Sequence, residues 1–155
     1  HPPVSTQQVL HPDRYFSNAV PDDPPLPRFS ARGYKKLADG HLGELDHAVL
    51  LEQYAGRAEA AELAPHWRGG RYLLLENAGQ GCVVLAYASR WDNPEAARRF
   101  FQLYRRILEG KWQRLAVEEE APGRLTGEGD GGRFVVELEG AVVSSLEGPG
   151  PVSER

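Results

Sequence analysis

Hydrophobic residues recur at three- and four-residue steps over two stretches of the chain, the spacing that lines one face of an α-helix. Leu42, Leu45, Val49, Leu50 and Tyr54 predict an amphipathic helix over 42–54 with those residues turned inward. Gly56 interrupts it, an Ala-rich second helix fits 57–64, and Pro65 with Gly69-Gly70 marks a turn. The clearest helix runs from Pro94 to Gly110. Asn93 is placed to cap it, Pro94 suits its first position, and Glu95 complements its positive end. Its inward stripe is Ala97, Phe100, Phe101, Tyr104, Ile107 and Leu108, with Arg98, Arg99, Arg105 and Arg106 mainly on the other side. Between the helices, Arg71–Glu76 and Cys82–Arg90 are short apolar runs joined by a Gly-containing loop, which predicts a hairpin in a well-covered position. Further strands are expected over 115–119, 133–139 and 141–146, with Phe134, Val136 and Leu138 sharing a face and the glycines at 127–132 forming a turn.

The first 28 residues break this periodicity. They hold most of the 12 prolines, and each removes an amide donor and restricts the residue before it. A Pro-rich N-terminal arm over 1–28 is predicted, with one short helix where Ser5 and Gln8 make a capping box and an end near His11-Pro12. Tyr15, Phe16, Leu26 and Phe29 give the arm apolar groups with which to pack on a body. The fold class that follows is α+β: an antiparallel sheet of about four or five strands against two main helices, in one domain over 29–147, with a disordered tail at 148–155.

Composition narrows the function mainly by exclusion. A chain of 155 residues buries enough surface to fold without a disulfide or structural metal. Its net charge of -4 provides no basic field for nucleic acid, and no apolar run approaches the roughly 20 residues of a membrane span. The one cysteine, Cys82, lies in an apolar run and is expected in the core. There is no methionine, which suggests a processed chain with sequence upstream of His1.

Few residue groupings carry chemistry. His41, Glu44 and His47 have metal-ligand side chains at close spacing, and Glu44 and His47 would share a helix face. A site needs more inward ligands than these, so helix-start chemistry with His47 on the surface is the expected role, with no cofactor. No H-E-x-x-H zincin string and no G-x-S-x-G elbow occur, and Ser89, Ser144 and Ser145 lack the setting of a nucleophile. The glycines at 127, 129, 131 and 132 are interspersed with Glu128 and Asp130, which would repel phosphate. The paired arginines read as a solvated face with Glu95 paired to Arg98 and Arg99. Trp67, Tyr72, Tyr87 and Trp91 lie in or beside strands, where they would be core or, alternatively, the lining of a ligand pocket.

Four patches carry a resemblance: Pro3-Val4-Ser5-Thr6-Gln7-Gln8-Val9-Leu10-His11-Pro12-Asp13-Arg14-Tyr15, Leu42-Gly43-Glu44, Trp67-Arg68-Gly69-Gly70-Arg71-Tyr72, and Ser89-Arg90-Trp91-Asp92 with Ala97 and Phe100. Together they resemble the C-terminal region of a group of uncharacterised bacterial exported proteins whose preceding part is similar to a gluzincin-type zinc metallopeptidase. Gly70 stands where that group has an acidic residue, and the peptidase-like zinc string would precede residue 1, so no catalytic residue carries over. The resemblance implies an extracytoplasmic location, whether secreted, periplasmic or lipid-anchored, and an upstream peptidase-like domain or another protein as partner. The expected function is a non-catalytic accessory or binding domain. The alternatives are a domain that positions substrate for an upstream metallopeptidase-like part, or a small-ligand module using the aromatic pocket.

Overall fold

The computed structural model describes residues 1–77 and 79–148. Of the tail expected over 148–155, residues 149–155 lie outside them. In chain order the elements are α1 (Thr6–Leu10), α2 (Pro12–Phe16), β1 (Lys35–His41), α3 (Glu44–Ala55), α4 (Arg57–Leu63), a 3-10 turn (Ala64–His66), β2 (Trp67–Asn77), β3 (Cys82–Trp91), α5 (Pro94–Lys111), β4 (Leu115–Ala121), β5 (Arg124–Gly129), β6 (Gly132–Glu139) and β7 (Val142–Glu147). The fold is mixed α+β. Its sheet has seven strands in the order β1-β2-β3-β7-β6-β5-β4, larger than the four or five expected. All neighbours are antiparallel.

The strands missing from the expectation have physical reasons to be inconspicuous. β1 is an edge strand of sequence KKLADGH, exposed at both lysines and broken by a bulge, so it lacks the alternation of a half-buried strand. β5 contains glycines that read as a turn. A Cβ on Gly127 would meet the Ala116 carbonyl oxygen at 2.1 Å, and one on Gly129 would meet the Trp112 ring at 2.0 Å. Those glycines let a backbone and an indole close on the strand, and the turn begins only after them.

One face of the sheet carries α3 and α5. The row Tyr87–Ser145–Val136–Leu125 runs across four strands at matched register under α5, and Phe100, Tyr104, Ile107 and Leu108 pack into it from the helix. The other face has a smaller cluster of Val84, Ala86 and Leu146, covered by Leu26, Phe29 and Tyr34 from the segment ahead of β1. Cys82 is half-buried at the start of β3 and outside both clusters, because the apolar run it begins enters the core only from Val84. Helix α5 forms as its sequence predicts. The Asn93 side chain accepts the Ala96 amide at 2.8 Å, and the whole predicted stripe is buried together with Ala96 and Leu103. Arg99 pairs with Glu59 of α4, and Arg105 pairs with Glu109 of the same helix and with Glu120 of β4.

Helix α3 departs from its pattern. Leu45 and Val49 are 48% and 57% exposed, whereas Glu44, His47 and Leu51 are buried at 2%, 1% and 0%. The inward face therefore joins two polar groups, Glu44 and His47, to Leu50, Leu51 and Tyr54, and His47 belongs to the core instead of the surface. Among the described residues, no helix is long and apolar enough to cross a membrane.

Candidate ligand-binding cleft

The polar groups buried by α3 are held from three directions. Nδ1–H of His47 donates to the Gly43 carbonyl at 2.8 Å, which leaves Nε2 as the acceptor for the Tyr87 hydroxyl at 2.6 Å. The imidazole is thus locked in one neutral tautomer, and burial pushes its pKa below the ordinary 6.5. Trp67, Tyr87, Trp91 and Phe100 surround the ring with centroid distances of 5.7–6.4 Å. Burial likewise pushes the Tyr87 and Tyr104 hydroxyls far up, so both stay protonated. Tyr104 bonds Ser145 at 2.7 Å, and Lys111 closes on Glu147 of the same cluster at 2.7 Å. These groups are satisfied inside the core.

Glu44 is anchored from outside the helix. Its Oε1 meets His11 Nε2 at 2.8 Å, while Oε2 is buried without a partner among the described residues. Desolvation raises the Glu44 pKa from 4.5, and His11 opposes that shift. The N-terminal segment supplies further anchors. The Gln7 side-chain amide donates to the Trp67 carbonyl at 2.7 Å, and Gln8 donates to the Ala19 carbonyl at 2.9 Å. Gly43 begins α3 with no side chain of its own to cap it. Thr6 Oγ1 accepts the Leu45 amide at 3.3 Å, and Asp46 accepts the Gly43 amide at 2.6 Å. Two glycines of β2 make room for this docking. A Cβ on Gly69 would lie 2.0 Å from the Asp22 carbonyl oxygen, and the Asp22 amide bonds the Arg68 carbonyl at 2.7 Å.

Between the N-terminal segment and the α3–β2 end of the sheet lies a cleft of about 670 Å³. Val4, Val9, Val20 and Leu42 supply apolar wall, Trp67 and Gly70 form its inner side, and the carboxylates of Asp22, Asp23 and Asp46 lie at it together with His41. The volume is that of small-molecule sites. Trp67 is 2% exposed, and its Nε1–H has no acceptor among the described residues. Such a donor costs roughly 1–3 kcal/mol of lost solvation unless something accepts it. The other buried indole of the β3 end, Trp91, donates to Ser89 at 3.0 Å.

The residues singled out from sequence scatter relative to this cleft. His41, Glu44 and His47 do not converge: His41 lies at the surface 3.5 Å from Asp23, Glu44 faces His11, and His47 faces Tyr87. Among the described residues, no group of three or more His, Cys, Asp or Glu is placed to hold a metal ion. Trp67, Tyr87 and Trp91 are packed in the core, Tyr72 lies half-buried against Gly40 of β1, and of these four Trp67 lines the cleft. Sequence reading missed Thr6, Asp22, Asp23 and Asp46 as neighbours of one site. Thr6 contacts α3, Gln7 contacts Trp67 and Leu42 contacts Gly70 at the cleft, while Arg14 pairs with Asp92 outside its lining.

A model of the family described as Domain of unknown function (DUF8575) matches residues 32–154, most of the chain. The chain belongs to that family. No curated protein matches it. The DUF8575 match includes Leu42, Gly43, Trp67 and Gly70 on the inner side of the cleft and leaves out Pro3–Asp23, which build its outer wall.

Proposed function

We propose that this chain is a non-catalytic binding domain that holds a small ligand in the cleft between its N-terminal segment and the α3–β2 end of the sheet. The cleft itself carries this reading: its volume of about 670 Å³ lies in the range of small-molecule sites, with apolar wall from Val4, Val9, Val20 and Leu42 and carboxylates at its edge. The groups best suited to acid–base or nucleophilic work are committed elsewhere. His47 and Tyr87 bond each other in the core, and Thr6 caps a helix. Resemblance of residues 3–108 to exported bacterial proteins supports an extracytoplasmic setting, with the domain presenting its ligand to a peptidase-like part encoded upstream.

Nitrogen-15 NMR of the full chain tests this reading, since each tryptophan gives its own indole N–H signal. In a screen of small polar-apolar compounds, binders should move the Trp67 signal and leave that of Trp91, already bonded to Ser89, in place. Binders that shift only signals remote from the cleft would contradict it. Hydrolysis of peptides or esters by the purified chain, lost in Asp46→Asn, would make the cleft an active site instead.

A further inference from the structure

We propose that the end of β2 beside the first turn of α3 is a peptide-docking socket, and that the N-terminal segment 4–23 fills it as an occupant that the same segment in trans can replace. Strand β1 pairs with β2 only from Arg71 to Glu76, so among the described residues the Trp67–Gly69 end of that edge has no strand beside it. The segment takes that place. Gln7 donates to the Trp67 carbonyl and the Asp22 amide to the Arg68 carbonyl, both at 2.7 Å, so main-chain groups of an open sheet edge receive a peptide. Gly69 lets the Asp22 backbone close on the strand, and Gly43 leaves the Thr6 hydroxyl room at the start of α3, where a Cβ would clash with it. His11 completes the contact on buried Glu44 at 2.8 Å.

Three observations make this segment an occupant of the domain and not a part of its core. Neither apolar cluster contains a residue of 1–23, and the first residue to join one is Leu26. Val4, Val9, Leu10, Phe16 and Val20 stay exposed, so docking rests chiefly on the directed bonds. The DUF8575 match begins at residue 32, after the segment and with the whole socket inside it. The segment is also ordered by bonds of its own. Gln8 accepts the Val4 amide and donates to the Ala19 carbonyl, both at 2.9 Å, and Ser5 accepts the Gln8 amide at 3.3 Å. It can therefore leave and return as one unit, with little ordering to repeat. The partner that fits is a peptide with a hydroxyl, a side-chain amide and an imidazole at the spacing of Thr6, Gln7 and His11. Its departure would uncover the inner side of the cleft, whether or not a small ligand binds there.

The test is hydrogen exchange in the full chain, read at the amides of Asp22, bonded to Arg68, and Leu45, bonded to Thr6. The two should exchange together, at least about tenfold faster than the amides of β3 and α5. Gln7→Ala should speed both by a common factor and leave β3 and α5 unchanged, and Gln7→Glu, which keeps the shape without the donor, should do the same. Adding a synthetic peptide of residues 1–23 at millimolar concentration to Gln7→Ala should slow Leu45 again while the chain's own Asp22 stays fast, the signature of replacement. The peptide carrying Gln7→Ala should not slow it. Neither should the intact peptide on Gly69→Ala, whose added Cβ takes the place of the Asp22 backbone. Exchange of Asp22 and Leu45 only together with β3 and α5 would make the segment integral to the core and overturn the proposal. So would a Leu45 amide that stays fast at every peptide concentration, or one that slows equally with either peptide. The screen of small compounds reads the cleft separately, so either conclusion can fail without the other.

Discussion

Helices α3 and α5 lie side by side on one face of the sheet, yet they are held there in opposite ways. Helix α5 turns aromatic and aliphatic groups into the core, caps itself through Asn93 and sends its arginines outward. Helix α3 turns Glu44 and His47 inward, leaves Leu45 and Val49 in solvent, and relies on Thr6 and His11 from another segment to complete its first turn. The first helix is fixed by burial, which is nondirectional and readable from periodicity. The second is fixed also by directed bonds to partners distant in sequence, and its apolar spacing places Leu50 and Tyr54 on the core but misplaces Leu45 and Val49. Where periodicity and structure disagree, the cleft is found.

The largest expected effect belongs to α5. Phe100→Ala empties the centre of the main cluster, where Phe100 touches Trp91, Tyr104 and Tyr87, and should cost about 3–5 kcal/mol in denaturant unfolding. A loss below about 1 kcal/mol would mean that α5 does not organise the core.

For α3 the decisive change is polar. His47→Leu leaves the buried Tyr87 hydroxyl without its acceptor and should cost about 2–3 kcal/mol, much of it regained when Tyr87→Phe is added. Additive losses in that double-mutant cycle would show that the two groups do not act as a pair. The same variants have a pH signature. Because burial lowers the His47 pKa, the unfolded chain takes up a proton that the folded chain refuses. Stability should therefore fall as pH drops below 6.5 toward the lowered value, and this slope should vanish in His47→Leu/Tyr87→Phe. Glu44 has the opposite sign. Its raised pKa means that stability declines as pH rises from 4.5 through the raised value, and Glu44→Gln should remove that decline.

Gly69→Ala tests the docking of the N-terminal segment. Its Cβ would press on the Asp22 backbone, so about 1–3 kcal/mol should be lost, together with faster hydrogen exchange at the Asp22 amide. Unchanged exchange there would indicate that the segment is not seated on β2. The smallest effect is expected at the exposed face of α3, where Leu45→Ser and Val49→Ser should each change stability by less than about 1 kcal/mol in the same assay. A larger loss would mean that this face is covered.

These contrasts also explain how far the sequence could be read. Helix α5 carries its own signals in Asn93, Pro94 and an unbroken stripe, and β3 is an apolar run bounded by turn residues. Strand β5 was hidden because its glycines serve Trp112 and the Ala116 backbone, partners that no local window includes. At the cleft, Trp67 stood out as an aromatic beside a strand. Thr6, Asp22 and Asp23 did not, because their roles depend on a segment folding back across α3 and β2: Gln7 meets a carbonyl 60 positions away.

The claim on which the rest turns is that a small ligand occupies the cleft beside Trp67, and intermolecular nuclear Overhauser effects measure this directly. With a compound from the screen bound to the full chain, cross-peaks should connect its protons to Val9, Val20 and Trp67. Cross-peaks confined to residues outside the cleft, with the Trp67 signal unmoved, would contradict the account.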